Sequence, residues 1–461
     1  MGNNSMKAEG QSILAIDIGS SSVKAACIGT DGSIVVSCKV ALPSIVNGDR
    51  VEIGAQPLWK AFVDSVGLLR QNGHDLSGCI GMGITTQMAG LVLLDREGQP
   101  LRDFILGVDQ RGADYVLELS LRLQGTDIYA KTGCPLSGIY PSTKLLCLQA
   151  EEPHILTKAH YIGGIKEYLL WRLTGNWMTD PASASTTQLY DQQQQAWWPD
   201  MLSAVGLVLE QLPQVCDPVR SAGALLQEAM HELGLSAVIP IVVGTGDGPA
   251  ANLSSGSVTG QQLCISLGTT AVTRFWAKGT ESYTGEDHYF RQHFGWDMYL
   301  QGIRLEGAGQ RISELLPIHS LPDSKTGDPT QPSDHALQLQ EVLDSILFTL
   351  YALMEPLVAQ GRFEEIRPIG GGVLSATWMQ DIADLFQLPV LLTAGGDSTL
   401  GAAMIVIKHI KAEVDWKDIS DRLVRVVHRI EPCSQASEAI HRRYESHNQM
   451  MKGGRRDPFR P

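Results

Sequence analysis

The chain has 461 residues, 43% hydrophobic and 19% charged, and a formal net charge of -14. That length exceeds a single hydrophobic core, which stops growing near ~250–300 residues, so two domains are expected. The acidic balance excludes a nucleic-acid surface, which needs a basic face, but not a nucleotide site, where backbone N–H groups and a cation can hold phosphates. The eight cysteines form no CxxC pair and read as reduced core thiols of a cytoplasmic protein. Met1 to Gly10 is polar, without an apolar signal core. No apolar run is expected to reach the ~18 residues of a membrane span.

In chain order, Ile13–Ile16 reads as a buried strand, broken at Gly19-Ser20-Ser21-Ser22 and resumed over Val23–Ile28. Asp31-Gly32 signals a tight turn, and Ile34–Val40 a third strand. Helical spacing covers Pro57–Arg70. Strands follow at Cys79–Thr85 and Leu91–Leu94, then helices at Leu145–Gln149, Lys166–Leu173 and Trp198–Val205. Ile239–Val243 is an apolar strand running into Gly244-Thr245-Gly246-Asp247-Gly248. Leu263–Ser266, Gly268-Thr269-Thr270 and Ala271–Phe275 repeat the strand–turn–strand pattern of residues 13–28, which suggests an internal duplication. After a polar loop at Pro317–Ser333 come a helix (Ala336–Ala359), a strand (Ile366–Ile369) into Gly370-Gly371-Gly372, a helix (Trp378–Phe386), a strand (Val390–Thr393) and a small-residue helix (Ser398–Ile410). From Glu438 the chain reads as a polar tail, expected to fray.

Four segments carry chemistry. In Asp17-Ile18-Gly19-Ser20-Ser21-Ser22-Val23-Lys24, a glycine turn lets backbone N–H groups approach a phosphate, hydroxyls and Lys24 add donors, and Asp17 can hold Mg²⁺. Gly268-Thr269 repeats that logic. Asp247, flanked by glycines at a strand end, suits a base for an attacking hydroxyl, although an isolated Asp-Gly reads first as a helix cap. Gly371 and Gly372 offer bare backbone for a flat adenine. There is no Walker A sequence and no strand-borne G-x-G-x-x-G.

In this order and at these separations, the four segments resemble the FGGY family of carbohydrate kinases, over about Ile13 to Ile410. Thr85-Thr86-Gln87-Met88-Ala89-Gly90, Lys166-Glu167-Tyr168-Leu169, Thr179-Asp180 and Trp378-Met379-Gln380 with Ala383-Asp384 agree. The resemblance implies an α/β fold of two ribonuclease-H-like (actin/hexokinase-like ATPase) domains around a central cleft. It places an N-terminal sugar-binding domain at 11–250, a C-terminal ATP-binding domain at 251–437 and the tail at 438–461. It implies Asp247 as the base and Asp17 near Mg²⁺. ATP would be held by Gly19, Ser20, Ser21 and Lys24, by Gly268 and Thr269, and by Gly371, Gly372 and Ser375. Gln87, Met88, Asp109 and Arg111 would face the sugar. Gly246-Asp247-Gly248 and Ile165-Lys166-Glu167-Tyr168 look most like gluconate kinases, with Lys166 or Arg111 meeting a substrate carboxylate. The expected reaction is thus ATP-dependent phosphorylation of a small sugar or sugar acid, D-gluconate to 6-phosphogluconate. Xylulose or another ketose or polyol is the alternative, and a non-catalytic sensor on the same fold the rival from another class. The chain departs from the family where a Trp is usual (Gly107), where a His is common (Ala89) and in its short 317–333 loop. The expected partner is a small molecule, not nucleic acid or membrane. The oligomeric state is left open, with a homodimer as one expectation.

Overall fold

A computed structural model describes residues 11–267, 270–279, 289–305, 334–394 and 397–452. Two compact units divide them. The first comprises residues up to Ser254 with Arg291–Tyr299 and Ser398–Leu423. The second comprises Ser255–Phe290, Leu300–Asp397 and Val424 onward. The division is therefore not one cut near residue 250, because a helix from late in the chain packs in the first unit.

The first unit is built on β1 (Ser12–Ile18), β2 (Ser22–Gly29), β3 (Ile34–Ala41), β4 (Cys79–Thr86), β5 (Ser221–Gly223), β6 (Ile241–Val242) and β7 (Thr245–Gly246). Their order is β5-β6-β4-β1-β2-β3, and β7 also pairs with β4. β1, β2 and β3 form an antiparallel meander, while β1, β6 and β7 run parallel to β4. The apolar run of β1 fits a strand covered on both faces: every residue in it is buried. Helix α1 (Ala55–Gln71) covers one face with Leu58, Phe62 and Leu69. α3 (Asp247–Ser254) and α6 (Ser398–Ile410) pack against each other, and α6 lies against β1 and β4. The small residues of α6 have a steric reason. A Cβ on Gly401 would sit 2.0 Å from the Ala250 carbonyl oxygen, and one on Gly83 would sit 2.5 Å from that of Ala402.

The second unit repeats the plan. The second sheet, which also takes in residues 291–299, runs β10-β11-β9-β8-β12-β13-β14, where β8 is Gln262–Leu267, β9 Ala271–Lys278, β10 Tyr289–Gly295, β11 Met298–Leu305, β12 Glu365–Ile369, β13 Val390–Ala394 and β14 Arg425–Ile430. β8 is antiparallel to β9 and parallel to β12, as β1 is to β2 and β4. Both units therefore carry the ribonuclease-H-like sheet, and the duplication read from the two hairpins is present in the strand order.

Two expectations need correction. The stretch from Glu438 is not frayed where it is described. Helix α7 (Ser434–Lys452) packs on α4 (Asp334–Ala359) and α5 (Ala376–Phe386), burying Ile440 and Tyr444. Among the described residues, apolar length does reach span size once, at Gln338–Ala359, with mean hydropathy 1.6. Half of that stretch is buried, and Ile346, Leu347, Leu350 and Met354 sit in the second unit's core.

Candidate active site

β1, β4 and β7 end at one edge of the first sheet. Asp17 lies opposite Lys24 on β2 and Thr85 on β4, and Thr85 lies opposite Thr245 on β7. Asp17 and Thr245 are thus two strands apart, roughly 10 Å at ~4.8 Å per strand. Asp247 follows two residues later, as the first residue of α3.

The β1–β2 turn is closed by the Gly19 N–H donating to Ser22 O at 3.0 Å. Ser21 is exposed, and Gly19, Ser20 and Lys24 are half-buried. Asp17 is buried, with the Lys24 ammonium 3.8 Å from its Oδ2. The matching turn at Gly268 and Thr269 lies outside the described residues.

Gln87 ties this turn to the segment that follows β4. Its Nε2 donates to Gly19 O at 3.1 Å, and its Oε1 accepts from the Gly107 N–H at 3.0 Å. Met88 packs on Gly246, where a Cβ would meet its Sδ at 2.4 Å. Gly107 cannot carry a side chain at this backbone, because its Cβ would lie 2.0 Å from Met88 O. Gly107 therefore sets its bare backbone directly against that of Met88.

Asp109 and Arg111 face each other. The guanidinium donates from Nε and Nη2 to the two carboxylate oxygens at 2.8 Å each, and from Nη2 to Glu52 Oε1 at 2.7 Å. Burial pushes the Asp109 carboxyl up, but Arg111 and the Val51 N–H at 2.7 Å outweigh it and hold it below the usual range.

Lys166 departs from its expected place beside a substrate. It is 1% exposed, and its ammonium lies 2.8 Å from Asp180 Oδ1 and 3.6 Å from Glu167 Oε1. It also donates to Val243 O at 3.4 Å. Asp180 in turn caps helix α2 (Pro181–Ser185) and accepts from Thr245 Oγ1 at 2.7 Å. Lys166 is thus the centre of a buried brace behind the strand that delivers Asp247. An ammonium with that environment is spent on the fold.

Sequence reasoning passed over Lys144. It is fully buried, and its Nζ donates to Ala89 O and Leu106 O, each at 2.9 Å. Ala89 holds φ 60°, a left-handed conformation costly for a residue with a Cβ. The clamp fixes the turn after Met88 against the Gly107 segment. Its one trace in the sequence is a lysine directly before the apolar run Leu145-Leu146-Cys147-Leu148.

In the second unit, β12 ends at Ile369 and Gly370 follows. A short 3₁₀ turn, Gly371–Leu374, then leads to Ser375, whose Oγ caps α5 by accepting from the Trp378 N–H at 3.3 Å. Gly371 is exposed, and a Cβ there would meet nothing within 4 Å. Its backbone is an open shelf.

The N-terminal domain of the FGGY family of carbohydrate kinases matches residues 12–254. The chain belongs to the FGGY family of carbohydrate kinases. Among relatives of this FGGY chain, the xylulose kinase of Escherichia coli (strain K12) is 28% identical over 437 residues, 85% of this chain and 89% of that protein. The gluconokinase of Bacillus licheniformis is 20% identical over 479 residues, 92% and 93% of the two chains. The crystal structure of ligand-bound xylulose kinase from Lactobacillus acidophilus shares the fold, with TM-score 0.86 and 19% identity over 96% of this chain and 98% of that one. The protein is accordingly a sugar phosphotransferase with two domains of the actin/hexokinase-like class.

Proposed function

We propose that this kinase transfers the γ-phosphoryl group of ATP to a terminal hydroxyl of a small open-chain sugar, with Asp247 as the base. The observation that carries the reading is the shared edge of β1, β4 and β7. It sets Asp17 and its Gly-Ser turn two strands from the glycine-flanked Asp247.

Asp247 takes the proton of the attacking hydroxyl as its oxygen bonds to the γ-phosphorus and the bond to the β-phosphate oxygen breaks, releasing ADP. In this reading Gly19, Ser20, Ser21 and Lys24 are the phosphate-binding residues of the first unit, and Gly268 and Thr269 for phosphate and Gly371 and Gly372 for adenine are those of the second. Gln87, Lys144 and Gly107 hold the turn that carries Met88. Asp17, a buried hard-oxygen donor beside the turn, fits Mg²⁺, which when bound neutralises charge developing on the transferred group.

The side chains also bear on the substrate. The gluconate expectation drew on Lys166 or Arg111 for a cation, and each is paired with a buried carboxylate, Asp180 or Asp109. A neutral ketose of the xylulose class therefore comes first. Gluconate stands second, supported by Gly246-Asp247-Gly248. Coupled ADP detection with D-xylulose and D-gluconate side by side is the test. The expected result is a kcat/KM at least tenfold higher for xylulose. A preference for gluconate overturns the ordering, and ADP release with no sugar in a panel of ketoses, polyols and aldonates overturns the kinase reading.

A further inference from the structure

Cys27, His74 and Cys79 come from three separate parts of the first unit, yet a ligand atom of each lies within 4.8 Å of the others. Sheet register explains the two thiols. Ser12 and Leu14 project from the same face of β1, since side chains alternate along a strand. Ser12 lies opposite Cys79 on β4, and Leu14 lies opposite Cys27 on β2. The thiols thus flank β1 on one face, in the same core as Leu58, Phe62 and Leu69 of α1.

α1 supplies the third group. Its C-terminus closes with Gly73 at φ 87°, the Gly73 N–H donating to Arg70 O at 2.9 Å and the His74 N–H to Leu69 O at 3.3 Å. That closure brings the half-buried His74 ring over the starts of β1 and β4. Its Nε2 is 3.2 Å from Ser12 Oγ, which is itself 3.4 Å from Cys79 Sγ.

We propose that Cys27, His74 and Cys79 form a binding site for one divalent ion of the zinc class. Two thiolates and one imidazole are the donor set that zinc prefers, and the thiolate charges cancel that of the ion, which makes a mostly buried site tolerable. The three residues would leave the fourth position of a tetrahedral ion to water. Ser12 is five residues from Asp17 along β1, about 17 Å at ~3.3 Å per residue. The ion therefore staples β2, β4 and the end of α1 at the opposite edge of the sheet from phosphoryl transfer, and its role is structural.

The experiment starts from full-length, reduced, metal-free protein carrying Cys433→Ser, which removes the exposed thiol. Co²⁺ is added, then Zn²⁺. The expected result is a thiolate-to-cobalt absorption that saturates at one ion per chain, is displaced by Zn²⁺, and accompanies a rise in melting temperature. Cys79→Ser should abolish the absorption. His74→Ala should weaken binding by more than the ~10–100-fold that losing an outer-shell partner costs, with kinase activity unchanged. His74 lies on a half-exposed turn, so this variant carries the test if Cys79→Ser fails to fold. Absence of the thiolate absorption, equal affinity in His74→Ala, or a Cys27–Cys79 disulfide formed in the presence of equimolar Zn²⁺ would each overturn the proposal.

Discussion

Replacing Lys166 with methionine keeps the volume of the side chain and deletes its charge. Asp180, fully buried, then loses its ion pair at 2.8 Å, and Glu167 loses a partner at 3.6 Å. Removing one member of a buried pair costs ~3–5 kcal/mol, because the charge left behind is neither solvated nor paired. Against the ~5–15 kcal/mol that holds a typical domain together, that is a severe loss. The double variant Lys166→Met/Asp180→Asn should recover much of it, since asparagine is uncharged and can still accept from Thr245 Oγ1 and the Ala182 N–H. Urea unfolding of wild type, both single variants and the double variant gives the coupling, and steady-state kinetics on the folded fraction gives KM. The brace predicts a lower unfolding midpoint for Lys166→Met, partial rescue in the double variant, and little change in selectivity between sugars. A Lys166→Met protein of unchanged stability whose KM rises tenfold for gluconate alone would refute the reasoning and return Lys166 to the substrate.

Other outcomes follow from the same geometry. Gly107→Ala drives a Cβ to within 2.0 Å of Met88 O, so KM for the sugar should rise several-fold while ATP affinity is unchanged; steady-state kinetics with each substrate varied decides it. Two groups give opposite pH effects on stability. Burial raises Asp217 from 3.8 to about 6, so the folded state holds that proton more tightly than the unfolded one. The stabilisation is present at low pH and is lost as pH rises from about 4 to about 6. Burial lowers His293 from 6.5 to about 4, so its stabilisation is present above about 6.5 and is lost as pH falls toward about 4. Urea midpoints between pH 4 and 7 should therefore gain at neutral pH in Asp217→Asn and fall less steeply with acid in His293→Gln. The same pH slope in variants and wild type would contradict both assignments.

The fold was legible because its strongest signals are local. The apolar run of β1 and the Gly-Ser turn before Val23 already describe a hairpin, and the Leu263–Ser266 copy describes it again. The position of Asp247 could be read in the same way, from an apolar strand ending in glycines. What stayed hidden depends on partners set by tertiary packing. Nothing near Lys166 in sequence says that Asp180, 14 positions on, will return to it behind β7. Lys144 looks like a helix-surface charge until its helix is buried and two carbonyls converge on it. The place of Ser398–Ile410 in the first unit rests on Gly401 meeting Ala250, a contact between segments about 150 residues apart. Cys27, His74 and Cys79 match no spacing motif, because strand register rather than sequence separation brings them together.

The most direct measurement is turnover of Asp247→Asn, an isosteric change that removes the proposed base and keeps the start of α3. Its kcat in the coupled ADP assay should fall by ~10²–10⁴, with ATP affinity by calorimetry within about twofold of wild type. Near-normal kcat in this variant, with ATP and sugar both bound, would contradict the account.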